Sequence, residues 1–204
     1  MKFISKENLK KTLAAILAAA ALMSLAACSS KQSGVSEKPA EQQEQTASES
    51  KRIFDVSDIS DFDTVDMNGN QLTADFLKEH KLTLVNVMSS ACNPCMEELP
   101  GLMKLADEFK DRDMGFLGIN LDMDMQGNPD QESAKIMQKL QSENGDTMKI
   151  VFPDQVLMEK VLLNVSAMPY TFFVDSEGRV VGSDYLESMT QDEWREIIEK
   201  ELGE

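Results

Sequence analysis

Cys92 and Cys95, separated by Asn93 and Pro94, follow the apolar run Leu82 to Val87 and open a segment whose apolar residues fall at helical spacing. Two thiols two residues apart, at the point where a strand turns into a helix, form a thiol–disulfide redox constellation. A helix beginning near Cys92 places that sulfur beside unpaired backbone N–H groups, at the positive end of the helix dipole. This favours the thiolate, which is the attacking species in disulfide exchange. Cys92 therefore reads as the nucleophile, and Cys95, one turn later on the same face, as the thiol that resolves a mixed disulfide. Pro94 suits the first helical turn, where its missing N–H removes nothing and its fixed φ is already helical. Two other uses of the pair stay open. A zinc site needs two further ligands, for which the chain offers only His80 and Cys28. A purely structural disulfide would close so short a loop that it would stabilise weakly. No metal and no cofactor are expected.

The elements around the motif read as an α/β order. Asp66-Met67-Asn68-Gly69-Asn70, between apolar-flanked runs, signals a β-hairpin ahead of the redox unit. Thr73 is placed to cap a short helix reaching Glu79, and Leu82 to Val87 reads as a central strand. From Cys92 to Phe109, Leu99, Leu102, Met103, Leu105, Ala106 and Phe109 mark a buried helix face, with a kink expected at Pro100. Gly115 to Asn120 reads as the next, parallel strand, giving a βαβ unit. Helical patterns follow at Gln131 to Gln141 and Val156 to Leu163, with a short strand at Lys149 to Phe152. Tyr170 to Val174 and Arg179 to Gly182 form a second hairpin, and Thr190 can cap a last helix that buries Trp194, Ile197, Ile198 and Leu202. The fold class is a mixed central sheet flanked by helices.

The ends of the chain bear on location. Lys2, Lys6, Lys10 and Lys11 precede the apolar run Thr12 to Ala27. That pattern suits a secretory signal, and the run falls short of the ~20 residues that span a bilayer comfortably. It closes on Leu25-Ala26-Ala27-Cys28. This resembles the bacterial lipobox, which implies acylation of Cys28 as the first mature residue; an ordinary signal peptide cleaved nearby is the other reading. Residues 28–50 are rich in Ser, Gln, Glu, Lys and Ala and hold too little apolar surface to offset the entropy of ordering, so they read as a lipid-anchored flexible linker. The division expected is a signal peptide at 1–27, the linker at 28–50 and one domain at 51–204. A formal net charge of −16 argues against a nucleic-acid partner, because phosphate binding needs a basic face.

With these elements in view, the chain resembles the thioredoxin superfamily, and more narrowly the membrane-anchored TlpA-like and ResA-like thiol–disulfide oxidoreductases. The segment from Leu84 to Pro100 is similar to the strand, redox motif and proline-bearing helix of that group, and Asn164 to Asp175 looks like the segment that bears its cis-proline. The resemblance implies a thioredoxin-like fold with an N-terminal β-hairpin extension. It also implies a cis Pro169, with Met168 beside the sulfurs, and a substrate groove formed by Asn93, Pro94, Met168 and Pro169. Glu98 takes the place of an active-site glutamate that could exchange a proton with Cys95, its plainer reading being an exposed helix acid beside Glu97. Asn86 stands where cytoplasmic thioredoxins carry a buried aspartate. Two departures matter. Ala91 replaces the Trp usual before the first cysteine, and Met88 stands in its approach, which opens the substrate range. A peroxiredoxin pattern is not met, since Val85 rather than Pro stands seven residues before Cys92.

The function implied is reduction of disulfides in exported proteins at the extracytoplasmic face of the cell membrane, by a lipid-anchored protein. The motif lacks the His of strongly oxidising DsbA-like proteins. Re-reduction by a membrane electron carrier of the CcdA/DsbD type is implied, with apocytochrome c or an exported methionine sulfoxide reductase as clients. A disulfide oxidase and a non-catalytic client- or solute-binding lipoprotein are the alternatives. Three smaller features are expected to be unremarkable in function. Asp122-x-Asp124-x-Gln126-Gly127 imitates an EF-hand start, but Ser133 holds the twelfth position where a bidentate Glu belongs, so it reads as a solvated acidic loop. The fourteen methionines read chiefly as core filling, and His80 as a loop residue.

Overall fold

The computed structural model describes residues 52–56 and 58–203; the expected signal peptide, Cys28 and the linker lie outside the described residues. Two short strands, β1 (Asp63–Val65) and β2 (Gln71–Thr73), pair antiparallel around a turn in which Asp66 accepts N–H bonds from Asn68 and Asn70. Helix α1 (Asp75–Lys78) follows. Its N-cap is Ala74, not Thr73, whose hydroxyl only accepts a 3.3 Å bond from the Asp75 amide; Thr73 is already committed to β2.

Strand β3 (Leu82–Met88), helix α2 (Asn93–Phe109) and strand β4 (Met114–Asn120) form the βαβ unit, with β3 and β4 parallel. Helix α2 is continuous past Pro100. Helix α3 (Gln131–Asn144) leads to β5 (Lys149–Val151), parallel to β4. Helix α4 (Gln155–Lys160) and a single 3-10 turn (Leu162–Asn164) precede the hairpin of β6 (Tyr170–Asp175) and β7 (Val180–Tyr185). Helix α5 (Gln191–Leu202) closes the domain behind a capping box between Thr190 and Glu193. The sheet order is β5-β4-β3-β6-β7, with β6 antiparallel to β3 and β7 antiparallel to β6. This is a thioredoxin-like α/β fold.

Strand alternation divides the core in two. On one face Leu84, Met88, Phe116, Ile150 and Phe173 meet the apolar stripe of α2 and Trp194, Ile198 and Leu202 of α5. On the other, Val85, Val87, Leu117, Ile119, Phe172 and Val174 meet Val56, Ile59, Phe62, Leu77, Leu157 and Val161. Every residue of β3 is buried, which is why this strand reads as a nearly continuous apolar run.

The N-terminal segment meets both edges of the sheet. Arg52 Nη2 donates to the Val180 carbonyl of β7 at 2.6 Å, and the Ile59 amide to the Gly178 carbonyl at 2.9 Å. At the opposite edge Asp66 bridges to Val151, and the Met67 amide donates to the Ile150 carbonyl of β5 at 3.0 Å.

Candidate active site

The C-terminal ends of β3 and β4 and the N-terminal end of β6 lie at one end of the sheet, as their registers require. The cysteines sit there. Cys92 is the N-cap of α2, in extended backbone conformation, and its Sγ accepts a 3.3 Å bond from the Cys95 amide. The helix therefore starts one residue later than its sequence pattern implied, and the first sulfur occupies the capping position itself. Cys92 and Cys95 are joined in a disulfide with an S–S length of 2.07 Å. Their environments differ: Cys92 is half-buried, whereas Cys95 is 1% exposed within the core that holds Leu99 and Leu102. Asn93 and Pro94 are exposed, as is Ala91. The Met168–Pro169 bond is cis; Pro169 is buried, and Met168 packs partly buried against both core clusters.

Glu98, one turn beyond Cys95, is not an exposed helix acid. It is 4% exposed, because position 98 falls on the buried stripe of α2 while Glu97 points to solvent. Its Oε1 accepts from Asn86 Nδ2 at 2.9 Å, and its Oε2 from the Met189 amide at 3.1 Å and Trp194 Nε1 at 3.2 Å. Asn86 Nδ2 also donates to Thr171 Oγ1 at 2.9 Å, so β3, β6, α2 and the head of α5 meet at this carboxyl. Burial pushes the Glu98 carboxyl above its ordinary value and outweighs the bonds from Met189, Trp194 and Asn86 that pull it down. A group so tuned can hold or release a proton nearer neutrality than an exposed glutamate. Ser188 Oγ donates to the Pro94 carbonyl at 3.1 Å, tying the loop before α5 to the motif.

The acidic loop after β4 also differs from its sequence reading. Asp122 is partly buried and faces the motif: it accepts from Ser89 Oγ at 2.5 Å, the Ser90 amide at 2.7 Å and Ser133 Oγ at 2.5 Å. Burial works to raise its carboxyl, but the bonds from Ser133, Ser89 and Ser90 prevail and hold it below the ordinary value. Asp124 closes a local turn with Gln126 and Asn128. Among the described residues no group of three or more His, Cys, Asp or Glu could hold a metal ion. His80 stands in the loop after α1, its ring edge-on to Phe76. Thr171, Met189, Trp194 and Asp122 are thus site residues that sequence reading did not assign. Trp194 was legible as buried, but neither its indole bond nor the Asp122 bonds leave a local pattern.

The sequence model of the AhpC/TSA family matches residues 57–183. The thioredoxin-like protein YneN of Bacillus subtilis (strain 168) is 25% identical over 143 residues, covering 68% of this chain and 75% of that protein. Among solved structures, an exposed lipoprotein thioredoxin from Streptococcus pneumoniae strain TIGR4 superposes with a TM-score of 0.55 at 20% identity, over 69% of this chain and 98% of that one. A thiol:disulfide interchange protein of the thioredoxin family from Chlorobium tepidum TLS gives a TM-score of 0.55 at 16% identity, over 72% of this chain and 97% of that one. At these identities the structures establish the fold.

Proposed function

The chain belongs to the AhpC/TSA family, and from that premise we propose that it is a thiol–disulfide oxidoreductase working as a disulfide reductase on exported proteins. The observation that carries the reading is the asymmetry of the pair: Cys92 caps the helix and is half-exposed, while Cys95 is buried behind it. In the reduced protein the Cys92 thiolate attacks one sulfur of a client disulfide, forming a Cys92–client disulfide and releasing the other client sulfur, which takes up a proton. Cys95 then gives up its proton, with Glu98 placed one turn away to take it, and attacks the Cys92 sulfur. That step forms the Cys92–Cys95 disulfide and frees the second client thiol. Two electrons and two protons have passed to the client. A membrane dithiol carrier of the CcdA/DsbD type restores the reduced pair.

The backbone beside Pro169, with Met168, Asn93 and Pro94, forms the client groove in this reading. Exposed Ala91 offers no flat aromatic surface there, which leaves the client range open to apocytochrome c and an exported methionine sulfoxide reductase alike. Val85 in place of Pro favours disulfide exchange over peroxide reduction. A lipid anchor at Cys28 after removal of residues 1–27, with residues 28–50 as tether to a domain at 51–204, would hold this chemistry on the extracytoplasmic face of the membrane. Both the lipoprotein thioredoxin likeness and the Leu25-Ala26-Ala27-Cys28 sequence support that location.

The deciding experiment is the potential of the Cys92/Cys95 couple against glutathione, paired with insulin reduction by wild type and Cys92→Ser. A potential near that of thioredoxin, with activity lost in the variant, is expected. A strongly oxidising potential would overturn the reductase direction, and activity indifferent to Cys92→Ser would leave a binding protein. Palmitate labelling lost in Cys28→Ala tests the anchor.

A further inference from the structure

Only Ser89, Ser90, Ala91 and Cys92 join β3 to α2, and the backbone N–H groups of the last three are all bonded. The Ser90 amide donates to Asp122 Oδ2 at 2.7 Å, the Ala91 amide to Ser89 Oγ at 3.1 Å, and the Cys92 amide to the Ser89 carbonyl at 3.1 Å. Ser89 Oγ in turn donates to Asp122 Oδ1 at 2.5 Å. The path that sets the direction of the Cys92 sulfur therefore leads back to one carboxylate. Behind it, Asp122 Oδ2 accepts from Ser133 Oγ, which also accepts from Asn120 Nδ2 at 2.8 Å, and the Asp122 amide donates to Asn120 Oδ1 at 3.2 Å. Asn120 and Ser133 are both buried, so Asp122 is fixed to the end of β4 and the first turn of α3 before it reaches across to the redox loop.

We propose that Asp122 is a positioning residue for the redox motif, holding Ser89 to Cys92 so that the Cys92 sulfur stays at the N-cap of α2. The inference rests on reading Cys92 as the attacking thiol. Helix N-terminal stabilisation of an anion acts within the first turn and depends on aim, so a loop free to swing loses part of it. Without Asp122, the Ser90 amide and the Ser89 hydroxyl both lose their acceptor, and the Ser89 rotamer that accepts from Ala91 is no longer fixed. A second effect has the opposite sign: a carboxylate near Cys92 disfavours the thiolate by like-charge repulsion. The two roles therefore predict opposite shifts on removal. The titratable groups at this end of the sheet also include Cys95, Glu97 and Glu98 on α2, Asp124 and Asp130 around the loop into α3, Glu132 in that helix, Asp154 after β5, Tyr170 at the start of β6, Asp184 and Tyr185 at the end of β7, and Glu187, Asp192 and Glu193 around the start of α5. All remain in the variants.

The test is the pH profile of Cys92 alkylation by iodoacetamide in the reduced full chain, read by mass spectrometry of the Cys92 peptide. Asp122→Ala is expected to raise the midpoint by about half a pH unit. Asp122→Asn, whose amide oxygen still accepts from the Ser90 amide, raises it less, and Ser133→Ala, which spares the Ser89 and Ser90 bonds, least. Loss of thermal stability with an unmoved midpoint would reduce Asp122 to a purely structural group, and a lowered midpoint would make it a charge and nothing more; either overturns the proposal. Should Asp122→Ala fail to fold, the near-isosteric Asp122→Asn decides by the same signs. Insulin reduction by wild type reports separately on the reductase reading. A wild type inactive on insulin, with the alkylation shift present, would sink that reading and leave Asp122 as the residue that aims Cys92.

Discussion

Asp122 and Glu98 are two carboxyls close in the fold to the Cys92–Cys95 disulfide, each accepts three hydrogen bonds, and they are pushed in opposite directions. Asp122 keeps partial contact with water, and its donors, two of them hydroxyls, lie at 2.5 to 2.7 Å. Glu98 is buried, and its donors are all nitrogens at 2.9 to 3.2 Å. The number of partners is the same, so burial and bond length decide. Short charge-assisted bonds at a partly wet site outweigh desolvation; longer bonds at a dry one do not. The redox-loop side of the motif thus carries a carboxyl held toward its ionised form, and the side behind the buried thiol carries one held toward its protonated form.

The comparison can be broken at several points. The largest effect comes from Cys92→Ser, which should bring insulin reduction down to the uncatalysed background and leave both carboxyls with no exchange to serve; turbidity measures it. Next is Asn86→Leu, which leaves Glu98 Oε1 and Thr171 Oγ1 without their shared donor in a buried site. A loss of about 2 to 3 kcal/mol in urea unfolding is expected. Trp194→Phe keeps the ring and removes one N–H, so it should cost about 1 kcal/mol and raise the Glu98 carboxyl further, followed by the carboxyl carbon resonance.

The sharpest contrast is in how stability varies with pH. Glu98 is raised in the folded protein, so its contribution is present below the ordinary value of 4.5 and is lost as pH climbs through the folded pKa. Asp122 is lowered, so its contribution is present above the ordinary value of 3.8 and is lost as pH falls through the folded pKa. Melting curves should therefore show Glu98→Gln gaining on wild type as pH rises from 4.5, and Asp122→Asn losing on it as pH rises toward 3.8 and beyond. Parallel curves would remove the distinction between the two carboxyls. The smallest effect belongs to Ser188→Ala, where loss of an exposed bond to Pro94 should change unfolding by about 0.5 kcal/mol or less.

What sequence made legible follows from what periodicity reports. The continuous burial of β3, the stripe on α2 and the Thr190 cap of α5 are properties of neighbouring residues, and each stands in the structure where spacing put it. The pairing of Cys92 with Cys95 was legible for the same reason. The Glu98 bond to Trp194 joins residues 96 apart, and the Asp122 bond to Ser89 spans 33. No local pattern encodes either. In the sequence Asp122 reads as a solvated loop acid, because acidic, Gly-containing runs usually are, and the parallel pairing of β3 with β4 brings it to the motif. Thr73 reads as a cap because a hydroxyl before a helix signals one even where, as here, the strand ends on that residue.

Residues ahead of the redox strand touch the sheet at both margins, β7 through the Arg52 side chain and β5 through Asp66 and Met67. A sheet whose outer strands show bare N–H and C=O groups offers a template for another copy to add itself. A chain shortened to begin at the first redox strand would keep Cys92, Cys95 and helices α2 to α5, but it would lose α1 and the core contacts of Val56, Ile59, Phe62 and Leu77 and leave both margins of the sheet barer. Self-association of such a chain, followed by light scattering, is the expected outcome, from bare strand margins and an uncovered apolar face together.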